Sequence, residues 1–449
     1  MKLFLDSIGC RLNQSEIETM ARQLLAAGHE IVADVGQADK VILNTCAVTR
    51  EAARDARKRT RRFHRQNENA EVVLTGCYAT IAPEALRRVE GAGRIVPNQY
   101  KEQLVQILHP ATRPATRIEL PIFDQEPLLR DLPSAPTSFV GRPFGNTRAF
   151  VKVQDGCDNR CTFCITTVAR GPGRSRPLRD VVREIQALAA AGYREAVLTG
   201  VHLGSYGQDF GPTRLRDLVA AILNDTDIPR LRLSSLEPWD IDADFFTLWQ
   251  NKRLLPHLHL PLQSGSDRIL RLMARRTRRG SFRRLVQAAR AAIPDLNLST
   301  DMICGFPGES DADFRQSLTF VREIGFSRLH VFTYSPRPGT AAARMSNQLP
   351  KEERKERTRE MIALGQDLSL AFHKEYEGQE RDVLWETALG ADDGGLRWAG
   401  YTGNYMRVTA HGSGDLFNTI APARFQRAYP DGLHGVILVQ KSGREQSKP

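Results

Sequence analysis

The sequence predicts an α/β protein in three parts: an amino-terminal parallel α/β domain, a central partial (β/α)6 barrel and a small carboxyl-terminal all-β barrel. Three observations predict it. Residues 1–107 alternate short Val/Ile/Leu-rich runs with helical patterns. Residues 146–375 hold six apolar runs, each followed by a helical pattern. After Gly378 the pattern changes to short alternating runs separated by turn signals such as DDGG.

In the first part KLFLDSIG, KVILNT and EVVLTG read as strands. The stretch SEIETMARQLLAAG reads as a helix, with Ser15 and Glu18 placed as a capping box and Gly28 as its stop. Cys10, Cys46 and Cys77 each follow one of the three strands directly. In a parallel sheet the carboxyl ends of the strands lie along one edge, where ligands bind. Three cysteines far apart in sequence therefore converge on one site. A single buried free cysteine would mean little. Three at the same structural position read as the ligands of an iron–sulfur cluster with one open iron. The run RTRRFHR at 59–65 is strongly basic, and reads either as a solvated charged face or as an RNA contact.

Residues 108–145 read as a linker, with seven prolines from Pro110 to Pro143 and no sustained periodicity. The six strands expected in the central part are AFVKV, EAVLTG, LRLSS, HLHLP, LNLSTDMI and RLHVFTY. Polar residues gather where these strands end, the edge on which a barrel builds its site. They include Thr199, Gly200, Ser234 to Glu237, Gln263, Asp301, Gly305 to Glu309, Tyr334 and Ser335. Just after the first strand comes VKVQDGCDNRCTFC, with Cys157, Cys161 and Cys164 at C-x-x-x-C-x-x-C spacing. A short loop of that kind brings three thiolates onto one face of an iron–sulfur cube and leaves one iron open. Structural zinc is the rival, but it prefers four closed N/S ligands, and no histidine follows at finger spacing. Ligand count favours iron–sulfur. His202, His257 and His259 read as packing or hydrogen-bonding groups, and Cys304 as a buried small hydrophobe.

From Pro350 the chain reads as one long helix. RDVLWE, GLRWAGYTGNYMRVTA and GVILVQ then suggest a five-stranded antiparallel barrel over 376–442. Trp385, Trp398, Tyr401 and Tyr405 are candidates for base stacking, at least half of them expected in the core instead. The last residues, KSGREQSKP, read as disordered.

Bulk properties narrow the class. A 449-residue chain with net charge +11 and pI near 9.5 points to a polyanionic partner, nucleic acid before membrane. No signal peptide or membrane-length apolar run is visible. Seven cysteines without export features read as reduced thiols or metal ligands of a cytoplasmic protein.

The C-x-x-x-C-x-x-C loop, with Phe163 before its last cysteine, resembles the signature of radical-SAM enzymes. GCRLNQSE at 9–16, NTCAVTREA at 44–52 and TGCYA at 75–79 are similar to the amino-terminal motifs of the methylthiotransferases within that superfamily. LTGVHLGSYG, SSLEP, HLPLQSGSD, GFPGE and FTYSPRPGTAA resemble motifs of the same family across the central domain. The resemblance implies two [4Fe-4S] clusters, the one on Cys10, Cys46 and Cys77 handling sulfur and the one on Cys157, Cys161 and Cys164 binding S-adenosylmethionine. It implies that Thr199, Gly200, Ser235, Glu237, Gln263 and Asp301 contact that cofactor, although each also serves as an ordinary turn or capping residue. It names the terminal barrel a TRAM domain. The chain departs from the family pattern at Thr167 and Val168, where a proline and an aromatic are usual, and at Thr277, where an aromatic is common.

The activity so implied is sulfur insertion and methyl transfer at an unactivated carbon of tRNA, which acid–base chemistry cannot open and a cofactor-derived radical can. The motifs most resemble the branch acting on N6-threonylcarbamoyladenosine at tRNA position 37. The isopentenyladenosine branch stands second. A branch modifying an aspartate of a basic ribosomal protein stands last, because like charges repel. Expected partners are the tRNA anticodon stem-loop, an electron donor of flavodoxin or ferredoxin type and a sulfur source, with no membrane. A non-catalytic metal-containing RNA-binding protein would explain the charge, but not two separate three-cysteine sets.

Overall fold

A computed structural model describes residues 1–108, 147–392 and 395–438. The Pro-rich stretch expected to be a linker and the tail expected to be disordered lie outside the described residues. The described residues form two compact units: residues 1–108 with Ile165–Gly171, and the remainder.

The first unit is a five-stranded parallel sheet. Its strands are β1 (Lys2–Ser7), β2 (Glu30–Ile31), β3 (Lys40–Thr45), β4 (Glu71–Gly76) and β5 (Ile95–Val96), in the order β2-β1-β3-β4-β5. Its helices are α1 (Arg11–Ala26), α2 (Arg50–Gln66), α3 (Cys77–Ile81), α4 (Pro83–Arg87), α5 (Leu104–Leu108) and α6 (Thr166–Arg170). Alternate strand residues face opposite layers, as the pleat requires. Val41, Leu43, Val72 and Leu74 pack with Ala56 and Phe63 of α2. Leu3, Leu5, Ile42 and Val73 pack with Ile17, Met20 and Leu24 of α1. Burial on both faces explains the unbroken apolar runs of these strands.

One expectation fails here. Ser15 and Glu18 do not cap α1; both are buried inside it, because the helix starts at Arg11 with Cys10 as its N-cap. Leu12, Asn13, Ser15 and Glu16 are all buried, so the helix is already packed into the unit ahead of the place the Ser-x-x-Glu signal marks. Gly28 does end the helix, in the left-handed backbone at φ +82°, with its N–H donating to the carbonyl of Leu25.

The second unit contains six parallel strands in chain order, apart from the short antiparallel pair β7 (Gln154–Asp155) and β8 (Arg174–Ser175). They are β6 (Arg148–Lys152), β9 (Glu195–Thr199), β10 (Arg230–Leu233), β11 (His257–His259), β12 (Asn297–Cys304) and β13 (Arg328–Thr333). Three form one sheet and three the next, and the parallel bridges Leu231–Leu254 and Ser235–His259 lie where β10 meets β11. The helices between them are α7 (Leu178–Ala190), α8 (Leu215–Asp225), α9 (Asp267–Leu272), α10 (Arg279–Ala292) and α11 (Asp311–Ile324). The partial (β/α)6 barrel expected from the sequence is present.

Helix α12 (Lys351–Lys374), N-capped by Pro350, leads to a closed barrel of β14 (Glu380–Asp392), β15 (Gly395–Thr402), β16 (Arg407–Gly412), β17 (Thr419–Tyr429) and β18 (Gly432–Ile437). This barrel is not wholly antiparallel: β16 and β18 pair in parallel. A closed ring with an odd number of strands cannot alternate direction at every seam, so one parallel pair is obligatory.

Trp385 and Trp398 are buried in the core of this small barrel. Tyr401 and Tyr405 stack on each other at 4.9 Å, and the Arg148 guanidinium lies 4.8 Å from the first ring and 5.4 Å from the second. Arg148 also pairs with Glu386 at 2.6 Å, and Arg232 lies over Tyr405 at 4.3 Å. All four aromatics are thus engaged within the fold, the tyrosines against Arg148 at the start of β6 and Arg232 within β10.

Candidate metal centres

In the first unit, Cys10 follows β1, Cys46 follows β3 and Cys77 opens α3 directly after β4, so the shared sheet edge carries all three. Cys10 is exposed and the other two are buried. All three are free thiols, and Cys46 lies within electrostatic reach of Cys10 and Cys77. Two glycines make the convergence possible. A Cβ on Gly9 (φ +109°) would stand 2.5 Å from the Cβ of Cys46, and one on Gly76 (φ +97°) would stand 2.3 Å from the carbonyl oxygen of Thr45. Each therefore permits both a left-handed turn and a close approach.

The sulfurs take weak hydrogen bonds from the frame. Val48 N–H donates to Cys46 Sγ at 3.4 Å and Asn98 Nδ2 to Cys77 Sγ at 3.7 Å. Behind them lies a buried charged network. Glu16 accepts from Arg170 at 2.9 and 3.3 Å, from Lys101 Nζ at 2.7 Å and from Asn44 Nδ2 at 3.2 Å. Arg170 also donates to Asn13 Oδ1 at 2.8 Å, and Asn13 Nδ2 donates to the carbonyls of Ile8 and Thr45. Burial lowers the pKa of Lys101, opposed in part by the Glu16 carboxylate, and the Arg170 guanidinium places positive charge beside the thiols. Burial pushes the Cys46 thiol up to about 11, opposed chiefly by the hydrogen bond from Val48 N–H and to a lesser degree by Arg170.

In the second unit, the loop from Cys157 to Cys164 follows β6 and β7 at the carboxyl edge of the six strands. Its backbone is held by Thr162, whose N–H donates to Met273 O, whose hydroxyl donates to Leu272 O and whose carbonyl accepts from Ala342 N–H. Phe163 packs against a cluster of Ile269, Met273, Phe306 and Tyr334. Gln154, fully buried, donates to the carbonyls of Asp155 and Gly156 and accepts from His202 N–H at 2.9 Å. It thereby ties the turn before Cys157 to the loop after β9.

Arg275 is the charged centre of this edge. It donates to Glu237 at 3.0 and 2.5 Å, to the Pro261 carbonyl at 2.7 Å and to Cys161 Sγ at 3.7 Å, with its guanidinium over Trp239 at 4.5 Å. His202 pairs with Asp240 at 2.5 Å and contacts Asn159. Burial opposes its charged form, but hydrogen bonds and charge from Asp240 and Cys157 push its pKa up to about 10. Asp301 pairs with His259 at 3.3 Å; burial would raise its carboxyl, and the charge of His259 holds it below the ordinary range instead.

Among the described residues no three His, Cys, Asp or Glu side chains are grouped to hold a single metal ion. A cube takes its three thiolates at three separate corners and needs them wider apart. Each free-thiol triad fits a cluster by donor type, and loading it would displace the thiol protons.

Two family models match the chain: "Uncharacterized protein family UPF0004" over residues 2–96 and "Radical SAM superfamily" over residues 151–321. The "Threonylcarbamoyladenosine tRNA methylthiotransferase MtaB" of Thermotoga maritima is 37% identical, covering 85% of this chain and 86% of that protein. The protein of the same name from Bacillus subtilis is 33% identical over 94% of each. The chain belongs to the radical-SAM methylthiotransferases. A "tRNA-2-methylthio-N(6)-dimethylallyladenosine synthase" of Geobacillus thermodenitrificans is 33% identical over 97% of this chain and 83% of that one. Among solved structures, the radical S-adenosylmethionine methyltransferase TsrM of Kitasatospora setae superposes with a TM-score of 0.56 at 17% identity, covering 76% of this chain and 75% of that one. That likeness concerns the fold.

For this methylthiotransferase the structure places the residues singled out in the sequence as follows. Thr199 ends β9 and Gly200 follows it, where a Cβ would come 3.0 Å from Gln154 Oε1. Ser235 is exposed beside the buried Ser234. Gln263 adopts φ +73°, a left-handed backbone rare outside glycine, held by Gln263 N–H to Asp301 O and Ile303 N–H to Gln263 O. Glu237 gives both carboxylate oxygens to Arg275. His257 and His259 both contact Ser299 Oγ, and Cys304 is buried, as expected. Thr277 is buried with its hydroxyl unpartnered among the described residues. Arg275, Gln154 and Arg170 were not foreseen. The first lay in an arginine-rich stretch with no feature marking one arginine above the others. The second was a plain residue after a strand, and the third's partners are far away in the chain.

Proposed function

We propose that this chain converts N6-threonylcarbamoyladenosine in tRNA to its 2-methylthio derivative. The observation that carries the reaction is the pair of separate three-cysteine triads, each at the carboxyl edge of a parallel sheet. The substrate rests on the relatives of threonylcarbamoyladenosine type. When bound, S-adenosylmethionine and the two [4Fe-4S] clusters supply hydrogen-atom abstraction, the inserted sulfur and the methyl group.

The chain's own residues hold and tune that chemistry. Cys157, Cys161 and Cys164 are the ligands of the cofactor-binding cluster. Arg275 steadies the sulfur of Cys161 with a charge-assisted contact and locks Glu237 in place. Thr199, Gly200, Ser235, Gln263 and Asp301 form the rim for S-adenosylmethionine, whose cationic amino and sulfonium groups suit the carboxylate of Asp301. Cys10, Cys46 and Cys77 hold the sulfur-handling cluster, and Arg170 with Lys101 offsets the negative charge gathered there. A reductant of flavodoxin or ferredoxin type and a sulfur source complete the cycle.

The direct test is reconstituted protein given reductant, sulfide, S-adenosylmethionine and two tRNAs, one carrying each candidate adenosine. Methylthiolation of the threonylcarbamoyl form alone supports the reading. Methylthiolation of the isopentenyl form alone moves the enzyme to the second branch, which the dimethylallyladenosine-type relative favours.

A further inference from the structure

Helix α2 concentrates the charge of this protein. Its 17 residues carry seven arginines and one lysine against two acids, a net +6 of the chain's +11. The apolar face is fixed inward by Ala53, Ala56, Thr60 and Phe63. Arg54, Lys58, Arg61 and Arg62 are exposed and make no ion pair among the described residues. An ordinary solvated helix face intersperses acids at i+4. Here Arg54 with Lys58 and Lys58 with Arg62 stack like charges at that spacing, an arrangement that weakens a helix. Among the described residues, Arg59 alone of the interior arginines pairs with carboxylates, those of Asp6 and Asp55.

We propose that the exposed face of α2 tracks the ribose–phosphate strand of the tRNA; the proposal rests on the substrate reading above. Three observations favour it. From Arg50 to Arg65 the cations extend about 22 Å at 1.5 Å per residue, the length of several nucleotides. They are arginines almost throughout, and the guanidinium fork matches phosphate oxygens bidentately where lysine offers a point charge. The helix is N-capped by Thr49, three residues beyond Cys46, so the track starts beside the sulfur-handling cysteines and leads away from them.

The test is tRNA binding to the reconstituted full-length protein between about 50 and 200 mM salt. It compares the parent with a variant carrying Arg54→Gln, Lys58→Gln, Arg61→Gln and Arg62→Gln, each of which keeps helix propensity. Far-UV circular dichroism, iron content and tRNA-independent cleavage of S-adenosylmethionine serve as controls and stay at parental values. The expected result is at least a tenfold weaker Kd at low salt and a log Kd against log salt slope shallower by about three, at roughly 0.7–0.9 per lost phosphate contact. An Arg179→Gln, Arg183→Gln variant on the exposed surface of α7 leaves the slope unchanged. Equal affinity and slope in parent and quadruple variant overturn the proposal. So does unchanged tRNA binding with slowed reduction by an acidic flavoprotein, which assigns the face to a protein partner. A parent that binds no tRNA at all instead removes the substrate reading on which the proposal stands.

Discussion

Arg275 and Glu237 form a two-point ion pair, Nη1 and Nη2 each donating to one carboxylate oxygen, and the same Nη1 reaches Cys161 Sγ at 3.7 Å. A residue in the loop just past α9 thus couples the loop after β10 to the cysteine loop after β6. Arg275→Met strips the part-buried Glu237 carboxylate and the Pro261 carbonyl of their donor and should cost about 2 kcal/mol of stability. It should also lower the iron retained on the central triad, while Arg275→Lys keeps part of both. Thermal unfolding and iron analysis check this; parental values for the methionine variant would refute the role.

Gly76 occupies φ +97° with no room for a side chain, since its Cβ would strike Thr45 O and Asn44 Oδ1. Gly76→Ala should destabilise the first unit by about 2 kcal/mol or more. Because Cys77 follows directly, iron should fall from about eight per chain toward about four, with cofactor cleavage retained. Full iron loading in this variant would show that the turn tolerates what the geometry forbids.

Arg170 supplies positive charge close to Cys10 and Cys46 and is itself held by Glu16 and Asn13. Arg170→Met takes that guanidinium away from Glu16, which keeps its contacts with Lys101 and Asn44. Reduction of the amino-terminal cluster adds negative charge there, so its midpoint potential should drop by about 60 mV, a tenfold one-electron effect, with a smaller drop in Arg170→Lys. Spectroscopic redox titration reads this directly. An unshifted potential would leave Arg170 a structural residue only.

The two triads should separate by function. Cys157→Ala should abolish reductive cleavage of S-adenosylmethionine. Cys46→Ala should keep some cleavage but yield no methylthiolated tRNA, as product analysis by mass spectrometry would record. Retained methylthiolation in Cys46→Ala would overturn the role given to the amino-terminal triad.

Much of this was legible because it depends on local pattern. Unbroken apolar runs mark strands buried on both faces, and a cysteine at each strand end places the amino-terminal triad before any coordinates are known. The Cys157–Cys164 spacing is likewise local. What escaped depends on contacts across the chain. Glu16 meets Arg170 across 154 positions and Glu237 meets Arg275 across 38, and nothing in the neighbouring residues marks either arginine. The start of α1 escaped because Ser15 and Glu18 imitate a cap inside a helix whose first turn is held by contacts distant in the chain, and the parallel β16–β18 seam because it follows from closure.

The central claim is tested most directly by mass spectrometry of tRNA nucleosides from cells with and without this protein. The expected result is loss of the 2-methylthio form of N6-threonylcarbamoyladenosine, with the unmethylthiolated precursor accumulating and the isopentenyl derivatives unchanged. An unchanged threonylcarbamoyl pool would contradict it, whichever other nucleoside moved.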